Sequence, residues 1–176
     1  GDWWGADREG VTPDVLLVGK ALSGGCVPVA AAVATPEAFE PLNRDPLLHS
    51  STFAGNPLAM AAGQAVWDVV ANDEFLAQVR TTGEKLRTAI EQFIGNYPDL
   101  FIGVRGRGLM LGIMMKVEPR PFVAHMRDNH QLLTVSAGDN TVRVIPPLVI
   151  DDSHIDEFME RLSAAAASYA PEAPVT

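Results

Sequence analysis

The lysines are the first candidates for chemistry because the chain of 176 residues has only three of them. Lys85 and Lys116 each lie close to a glutamate in the sequence, which is typical of surface charges. Lys20 follows the apolar run at residues 14–19, and ligands of α/β proteins bind at the carboxyl ends of strands. A partly desolvated amine in that place loses its proton more easily and becomes a nucleophile. The residues alone leave open whether Lys20 is that nucleophile or a surface lysine.

The segment around Lys20 has a second interpretation as a nucleotide-binding loop. The signal for it is weak, because Gly-Lys-Ala lacks the Ser or Thr after the lysine and the upstream glycine of a P-loop. The polar segment at residues 50–57 places hydroxyl groups just before a predicted helix. Hydroxyls, free backbone N–H groups and the helix dipole together suit a phosphate group. Ordinary helix entries use the same residue types as caps, so both interpretations fit this segment.

Arg143 alternates with Val142 and Val144 in a predicted strand, so one face of that strand is apolar and the other carries the guanidinium. A planar guanidinium binds a carboxylate with two parallel hydrogen bonds, although an arginine that only faces solvent fits the same pattern. The four histidines show no metal-ligand spacing, and the five-residue step between His125 and His130 is wrong for a zinc pair. Cys26 has no histidine near it in sequence and is expected to be a small packed residue.

Hydrophobic periodicity predicts a mixed α/β chain in two parts, with a composition shift at residues 71–74. The first part has two short strands and two helices that begin with proline, and the second has an amphipathic helix, four strands, a further helix and a final helix. The predicted segments are strands at 14–19 and 28–34, helices from Pro36, from Pro57 to Val70 and from Phe75 to Ile94, strands at 101–105, 109–117, 132–135 and 142–145, and a helix at 121–129. Ser153 and Asp156 form a plausible capping box for the final helix, and residues 170–176 are expected to be a frayed tail.

The composition narrows the classes of partner. Hydrophobic residues make up 47% of the chain and charged residues 20%, which is typical of a soluble globular protein. A formal net charge of -9 with no basic run argues against nucleic acid, and no apolar stretch is long enough for a membrane span. The single cysteine fits a reducing compartment, so a cytoplasmic location is expected.

Taken together, four stretches resemble the class III pyridoxal-phosphate-dependent aminotransferases, in particular the acetylornithine and ornithine aminotransferase group. Their order and spacing match as well, and the resemblance covers nearly the whole chain. The stretches are Pro-Asp-Val-Leu-Leu-Val-Gly-Lys-Ala-Leu-Ser-Gly-Gly at 13–25, His-Ser-Ser-Thr-Phe-Ala-Gly-Asn-Pro-Leu-Ala at 49–59, Val-Arg-Gly-Arg-Gly-Leu-Met-Leu-Gly at 104–112 and the segment at 132–148 that contains Asp-Asn-Thr-Val-Arg-Val-Ile-Pro-Pro.

The resemblance implies a role for each candidate residue. Lys20 would be the Schiff-base lysine that holds pyridoxal 5'-phosphate and then moves a proton as base and acid. Ser51 and Thr52 match the position that contacts the cofactor phosphate from the partner subunit, which implies a homodimer with the active site at its interface. Arg143 matches the arginine that binds a substrate carboxylate.

The same resemblance implies the α/β fold of pyridoxal-phosphate-dependent transferases of fold type I. Residues 1–72 would be the end of the large cofactor-binding domain, and residues 73–176 the small C-terminal domain. Family members are longer, and their phosphate loop, ring-stacking aromatic residue and aspartate for the pyridine nitrogen would precede Gly1. The chain by itself is therefore expected to bind cofactor weakly.

The expected reaction is amino transfer from an ω-amine or amino acid resembling N-acetylornithine to 2-oxoglutarate. An aminomutase or racemase on the same fold, or a non-catalytic fragment of such an enzyme, stays open as an alternative. No metal is expected.

Overall fold

The computed structural model describes residues 1–170, so most of the tail predicted at 170–176 lies outside the described residues. The chain divides into two compact units, Asp2–Leu76 and a second unit that contains Ala77 and the residues after it together with Gly1. The division falls inside a long helix, and the domain boundary predicted after residue 72 stays a prediction. No helix within residues 1–170 combines the length and apolarity needed to cross a bilayer.

The first unit pairs two short antiparallel strands, β1 (Val15–Val18) and β2 (Ala31–Ala34), and adds the helices α1 (Pro36–Asn43) and α2 (Pro57–Val70). Both predicted helix starts are confirmed, because proline occupies the first turn of each helix and a polar side chain caps it. The Thr35 hydroxyl accepts a hydrogen bond from Ala38 N at 3.2 Å in α1.

Helix α3 (Asp73–Ile94) starts two residues before the predicted position. The reason is the Asn72 side chain, whose Oδ1 accepts hydrogen bonds from Glu74 N at 2.8 Å and Phe75 N at 3.2 Å. In the second unit, a buried face of this helix contains Val79, Leu86, Ile90 and Phe93, as the helical spacing predicts.

The second unit contains a four-stranded antiparallel sheet in the order β3-β4-β6-β5. Helix α4 joins β4 to β5, and helix α5 follows β6. The element bounds are β3 Phe101–Arg107, β4 Met110–Met115, α4 Pro119–His130, β5 Val135–Ala137, β6 Thr141–Val144 and α5 Asp152–Ser168.

Aromatic rings form much of the contact between these elements. The Phe101 ring of β3 lies 5.7 Å from the ring of Phe93 and 5.8 Å from the ring of Phe122, and Phe122 is fully buried. Tyr169, which follows α5, places its ring 5.0 Å from that of Phe122. Tilted and edge-on pairs at these distances add to the stability that burial of apolar surface provides.

The strand predicted at 132–135 is wrong in position, because β5 begins only at Val135. Gln131 ends α4 in a left-handed conformation with φ 51°, and Leu132 N still donates a hydrogen bond to Met126 O at 3.1 Å. The end of the helix therefore occupies backbone that the apolar pattern had assigned to the strand.

The predicted capping box of α5 is also wrong. Asp151 is the capping residue and His154 is its partner, two positions before the predicted pair of Ser153 and Asp156. Asp151 Oδ1 accepts hydrogen bonds from Ser153 Oγ at 2.6 Å and from His154 N at 3.3 Å, and it lies 2.7 Å from His154 Nδ1. These hydrogen bonds lower the pKa of Asp151 from 3.8 to about 2. The hydrogen bond from the Ser153 hydroxyl has the largest effect, and those from His154 have the next largest.

We expect the Asp151 cap to stabilise the fold at neutral pH and to lose that effect in acid. Its pKa is lower in the folded chain than in the unfolded one, so its contribution is complete above 3.8 and disappears as the pH falls through about 2. Asp151→Asn keeps an amide oxygen as cap but does not titrate. The melting temperature of the wild type should exceed that of the variant by a constant amount from pH 7 to 5, and the gap should narrow below 3.8. An equal gap at pH 6 and pH 3 would contradict this.

Candidate active site

Lys20 is the first residue of a short 3₁₀ turn, Lys20–Ser23, that begins one residue after β1 ends. Its backbone has φ 51°, in the left-handed region that non-glycine residues seldom adopt. Within residues 1–170 the other non-glycine residues with positive φ are Gln131, at the end of α4, and Asp139 and Asn140, in a hairpin turn. Lys20 is neither a helix C-cap nor of a residue type that tolerates this region well, and such outliers cluster at active sites.

The turn that begins with Lys20 is held in place by a buried hydrogen bond of Ser23 and by a close contact with α2. Ser23 is 1% exposed, and its hydroxyl donates a hydrogen bond to Val27 O. Gly24 has φ 64°, and a Cβ at this position would lie only 3.1 Å from Val66 Cγ2 of α2. Because the turn contacts α2 so closely, the glycine is required both for its backbone conformation and for space.

Lys20 lines an open cavity of about 380 Å³ together with Pro28, Val29 and Ala30. The expectation that its amine is partly desolvated is wrong for this chain, since Lys20 is exposed. The physical reason is that the described residues form only one wall of the cavity, from the segment that leads into β2. The amine is therefore accessible to a small molecule from solvent.

Ser51 and Thr52 lie in an exposed turn before α2, and Ala54 N donates a hydrogen bond to Ser51 O at 3.1 Å. Within residues 1–170 neither hydroxyl has a hydrogen-bond partner, so both are available to a ligand. The expected free N–H groups at the helix start are not found. Asn56 Oδ1 accepts hydrogen bonds from Leu58 N at 3.0 Å and Ala59 N at 3.2 Å, so these two N–H groups are occupied and the two hydroxyls stay accessible.

Arg143 lies in β6, between Gly112 of β4 and Val135 of β5 in the sheet register. The predicted alternation is confirmed, because Val142 and Val144 are buried and Arg143 is exposed on the opposite face. Gly112 leaves space beside the arginine, and a Cβ there would come within 2.6 Å of Thr141 Cγ2. A substitution at Gly112 would therefore crowd the strand that carries Arg143.

The pocket in front of Arg143 has a volume of about 470 Å³ and is polar. Its walls are the start of α4 and the turn between β5 and β6: Glu118, Pro119, Arg120, Ser136, Ala137, Gly138, Asp139 and Asn140. Arg105 supports this turn, because it donates a hydrogen bond to Gly138 O at 3.2 Å and forms an ion pair with Asp139 at 3.4 Å. In the described part of the chain the Arg143 guanidinium has no ion-pair or hydrogen-bond partner, so its five donors can bind an anion.

Lys20, Ser51 and Thr52 all belong to the first unit, whereas Arg143 belongs to the second. The helix that follows Thr52 contacts the turn that begins with Lys20, but no hydrogen bond joins Lys20 to either hydroxyl within residues 1–170. No group of three or more histidine, cysteine, aspartate or glutamate residues in the same range is arranged to bind a metal ion. Cys26 is exposed, which corrects the expectation that it is packed; it follows the two glycines of the turn and reaches no core.

Sequence reasoning missed the residues that position the site. The left-handed backbone of Lys20 and the Arg105 contact to the β5–β6 turn depend on backbone angles and distant contacts. Asn56-Pro57 did carry a signal for the cap, because Asn before Pro is typical of a helix start. Nothing in the sequence near Arg105 indicates that it contacts residues more than 30 positions away.

Comparison with known proteins relates the chain to aminotransferases. The family model described as "Aminotransferase class-III" matches residues 1–166. An acetylornithine aminotransferase of Agrobacterium fabrum is 40% identical over 168 residues, which are 96% of this chain and 41% of that protein. The chain thus spans about two-fifths of the length of the curated relatives that it matches.

The solved structures that resemble this chain are also aminotransferases. The acetylornithine aminotransferase of Elizabethkingia anophelis superposes with a TM-score of 0.82 at 32% identity, covering 93% of this chain and 43% of that one. The ornithine δ-aminotransferase of Plasmodium falciparum also gives 0.82 at 32% identity, over 92% of this chain and 42% of that one. The predicted fold class is confirmed: the chain is mixed α/β, and its structural neighbours are pyridoxal-phosphate-dependent aminotransferases of fold type I. The chain belongs to the class III aminotransferase family.

Proposed function

We propose that the protein transfers an amino group from an ω-amine or amino acid resembling N-acetylornithine to 2-oxoglutarate. The observation that carries this proposal is the conformation of Lys20, a strained lysine at the end of β1 that opens onto a cavity. The relatives named acetylornithine aminotransferases support the choice of substrate class. Residues 1–72 would belong to the cofactor-binding domain and residues 73–176 to the smaller domain.

Class III aminotransferases depend on pyridoxal 5'-phosphate. The described residues fit this group, because an accessible lysine amine lines a cavity and the exposed turn before α2 carries two hydroxyls that have no hydrogen-bond partner within residues 1–170. Lys20 would hold the aldehyde carbon, and Ser51 and Thr52 of a second copy of the chain would contact the phosphate. When bound, the cofactor supplies an electron sink for the carbon that bears the amino group.

Lys20 Nζ has two tasks in this proposal. It holds the cofactor until an amino substrate takes its place, and it then acts as the base that takes a proton from the substrate carbon next to nitrogen and returns it as an acid. Both tasks need an amine that small molecules reach, and the exposure of Lys20 is compatible with that. Ser23 and α2 would keep the amine in place by anchoring its turn.

Arg143 would bind the carboxylate of each amino or oxo acid. Its guanidinium faces a polar pocket and has no partner among the described residues 1–170, and a planar fork matches the two oxygens of a carboxylate. A charged hydrogen bond of this kind is worth roughly 1.5–3 kcal/mol in proteins, so the loss of one weakens binding by about one to two orders of magnitude.

The cofactor attachment is tested by reduction with borohydride. After incubation with pyridoxal 5'-phosphate, the reduced label should be found on Lys20 by peptide mass spectrometry, with one label per chain at saturation. Lys20→Ala should lose this label, whereas Lys85→Ala should keep it, because Lys85 is engaged by Asp152 at 2.7 Å. A label that stays stoichiometric at another lysine in the Lys20 variant would overturn the assignment.

The carboxylate role is tested in the amino-donor half-reaction. Arg143→Gln should raise the KM for N-acetylornithine about 10- to 100-fold, because it replaces the charged donors with a shorter, neutral amide. Turnover of putrescine, which has no carboxylate, should change little in this half-reaction. Arg127→Gln is the matched control, since within residues 1–170 Arg127 pairs only with its neighbour Asp128. An equal loss of activity with N-acetylornithine and with putrescine would contradict a carboxylate-binding role.

We also propose that the protein forms a homodimer through the segment around Ser51 and Thr52. Apolar side chains flank these hydroxyls and face solvent: Leu47 is 82% exposed, Phe53 77% and Leu58 68%. Contiguous exposed apolar residues with a few polar groups among them are typical of protein interfaces. A second copy covering this segment would enclose the hydroxyls that contact the phosphate.

The dimer is tested by sedimentation velocity over a range of concentrations. Leu48→Asp, at another exposed position of the segment, should weaken self-association about tenfold or more, because a charge would be buried in an apolar contact. Leu133→Asp is the control, because Leu133 is 80% exposed in the other unit. A wild type that stays monomeric at all concentrations, or a Leu48 variant that associates normally, would contradict the proposal.

A further inference from the structure

Two histidine rings meet at the ends of α4 and α5, outside the site described above. His125 Nε2 lies 3.0 Å from Ser168 Oγ, and His130 Nε2 lies 2.9 Å from the same oxygen. The ring centroids are 5.0 Å apart. Both rings are half-buried and Ser168 is exposed, so the point where the two nitrogens converge is open to solvent.

The five-residue step between these histidines had argued against a shared site. On a helix it separates two side chains by about 140° around the axis. The structure differs because His130 is the last residue of α4 and Gln131 reverses the chain with φ 51°. Ser168, the last residue of α5, then lies between the two rings.

The hydrogen bonds define what the imidazoles offer. The Ser168 hydroxyl donates to Ala164 O at 2.8 Å, so in the absence of a metal ion Oγ accepts from Nε2–H of both rings. A metal ion bound through Nε2 would take the place of these protons, and each neutral ring would then carry its single proton on Nδ1. The Nδ1 of His125 lies 3.1 Å from the side-chain amide of Asn129. The same amide nitrogen donates to His125 O at 3.3 Å. A histidine bound to metal through Nε2 carries its proton on Nδ1, so Asn129 would have to give up its hydrogen bond to His125 O and turn its Oδ1 toward Nδ1–H.

The electrostatics of this corner favour a cation. The C-terminal ends of α4 and α5 both lie here, and each presents the partial negative charge of its last carbonyl groups. The nearby Arg161 donates to His130 O at 3.1 Å, but its charge is balanced by Glu157, which accepts from it at 2.7 Å. A metal ion would therefore meet no unbalanced positive charge from Arg161.

From this geometry we propose that His125 and His130 form a binding site for a borderline transition-metal ion, with Zn²⁺ and Cu²⁺ as the class. Imidazole nitrogen is a preferred ligand for these ions, and Zn–N bonds of about 2.0–2.1 Å are reached by small rotations of two rings that already point at one oxygen. The Ser168 hydroxyl and water would complete the coordination. The proposed site has two histidines. It is therefore smaller than a metal-binding cluster of three or more histidine, cysteine, aspartate or glutamate residues, and residues 1–170 contain no such cluster.

Calorimetric titration of the 176-residue chain with ZnCl₂ tests the proposal. The wild type should bind one ion, and His125→Gln and His130→Gln should each weaken binding about tenfold or more, the loss that removal of a metal-site partner causes. His49→Gln is the matched control and should bind as the wild type does, because His49 is exposed in the other unit. MgCl₂ should not bind, because Mg²⁺ requires oxygen ligands.

A second measurement separates ligand loss from loss of structure. With CuSO₄, electron paramagnetic resonance should show two coordinating imidazole nitrogens in the wild type and one in each single variant, while circular dichroism stays unchanged. The proposal is overturned if the double variant His125→Gln/His130→Gln binds Zn²⁺ as tightly as the wild type. It is overturned equally if His49→Gln causes the same loss or if the copper spectrum shows one nitrogen in the wild type.

Discussion

The second unit depends on the burial of one face of its four-stranded sheet. Leu111, Ile113 and Met115 of β4 and Val142 and Val144 of β6 are buried, and Phe122 of α4 is fully enclosed. Because side chains alternate along a strand, this burial forces residue 143 onto the opposite face. The position of the Arg143 guanidinium is thus a consequence of core packing, and the free face of the sheet becomes the wall of the polar pocket.

The first unit shows a different kind of constraint. A left-handed conformation at a residue other than glycine destabilises the fold by about 1–2 kcal/mol, and Lys20 has this conformation. The buried hydroxyl of Ser23, the tight contact of Gly24 with Val66 and the return of the chain into β2 hold the turn in one shape. The same contacts that maintain the strain also place the lysine at the end of β1, where a ligand has access to it.

The sequence predicted much of this arrangement, and the errors have physical causes. Apolar periodicity located α3 and β6 well, since each buries one face along its whole length. It misplaced β5, because the residues after α4 continue the hydrogen bonding of the helix end. It also misplaced the cap of α5, because Asp151, Asp152 and Ser153 are all good capping residues and only the backbone decides among them.

By itself the sequence determined the class of elements, the family resemblance and the identity of Lys20, Ser51, Thr52 and Arg143 as candidates, because local pattern and motif order are properties of the chain. Only the tertiary structure decided which groups are available to a ligand. Arg105 is engaged by the β5–β6 turn, and Arg143 has no such partner within residues 1–170. It also brought His125, His130 and Ser168 together, because hydrogen-bond partners and helix ends come from residues far apart in sequence.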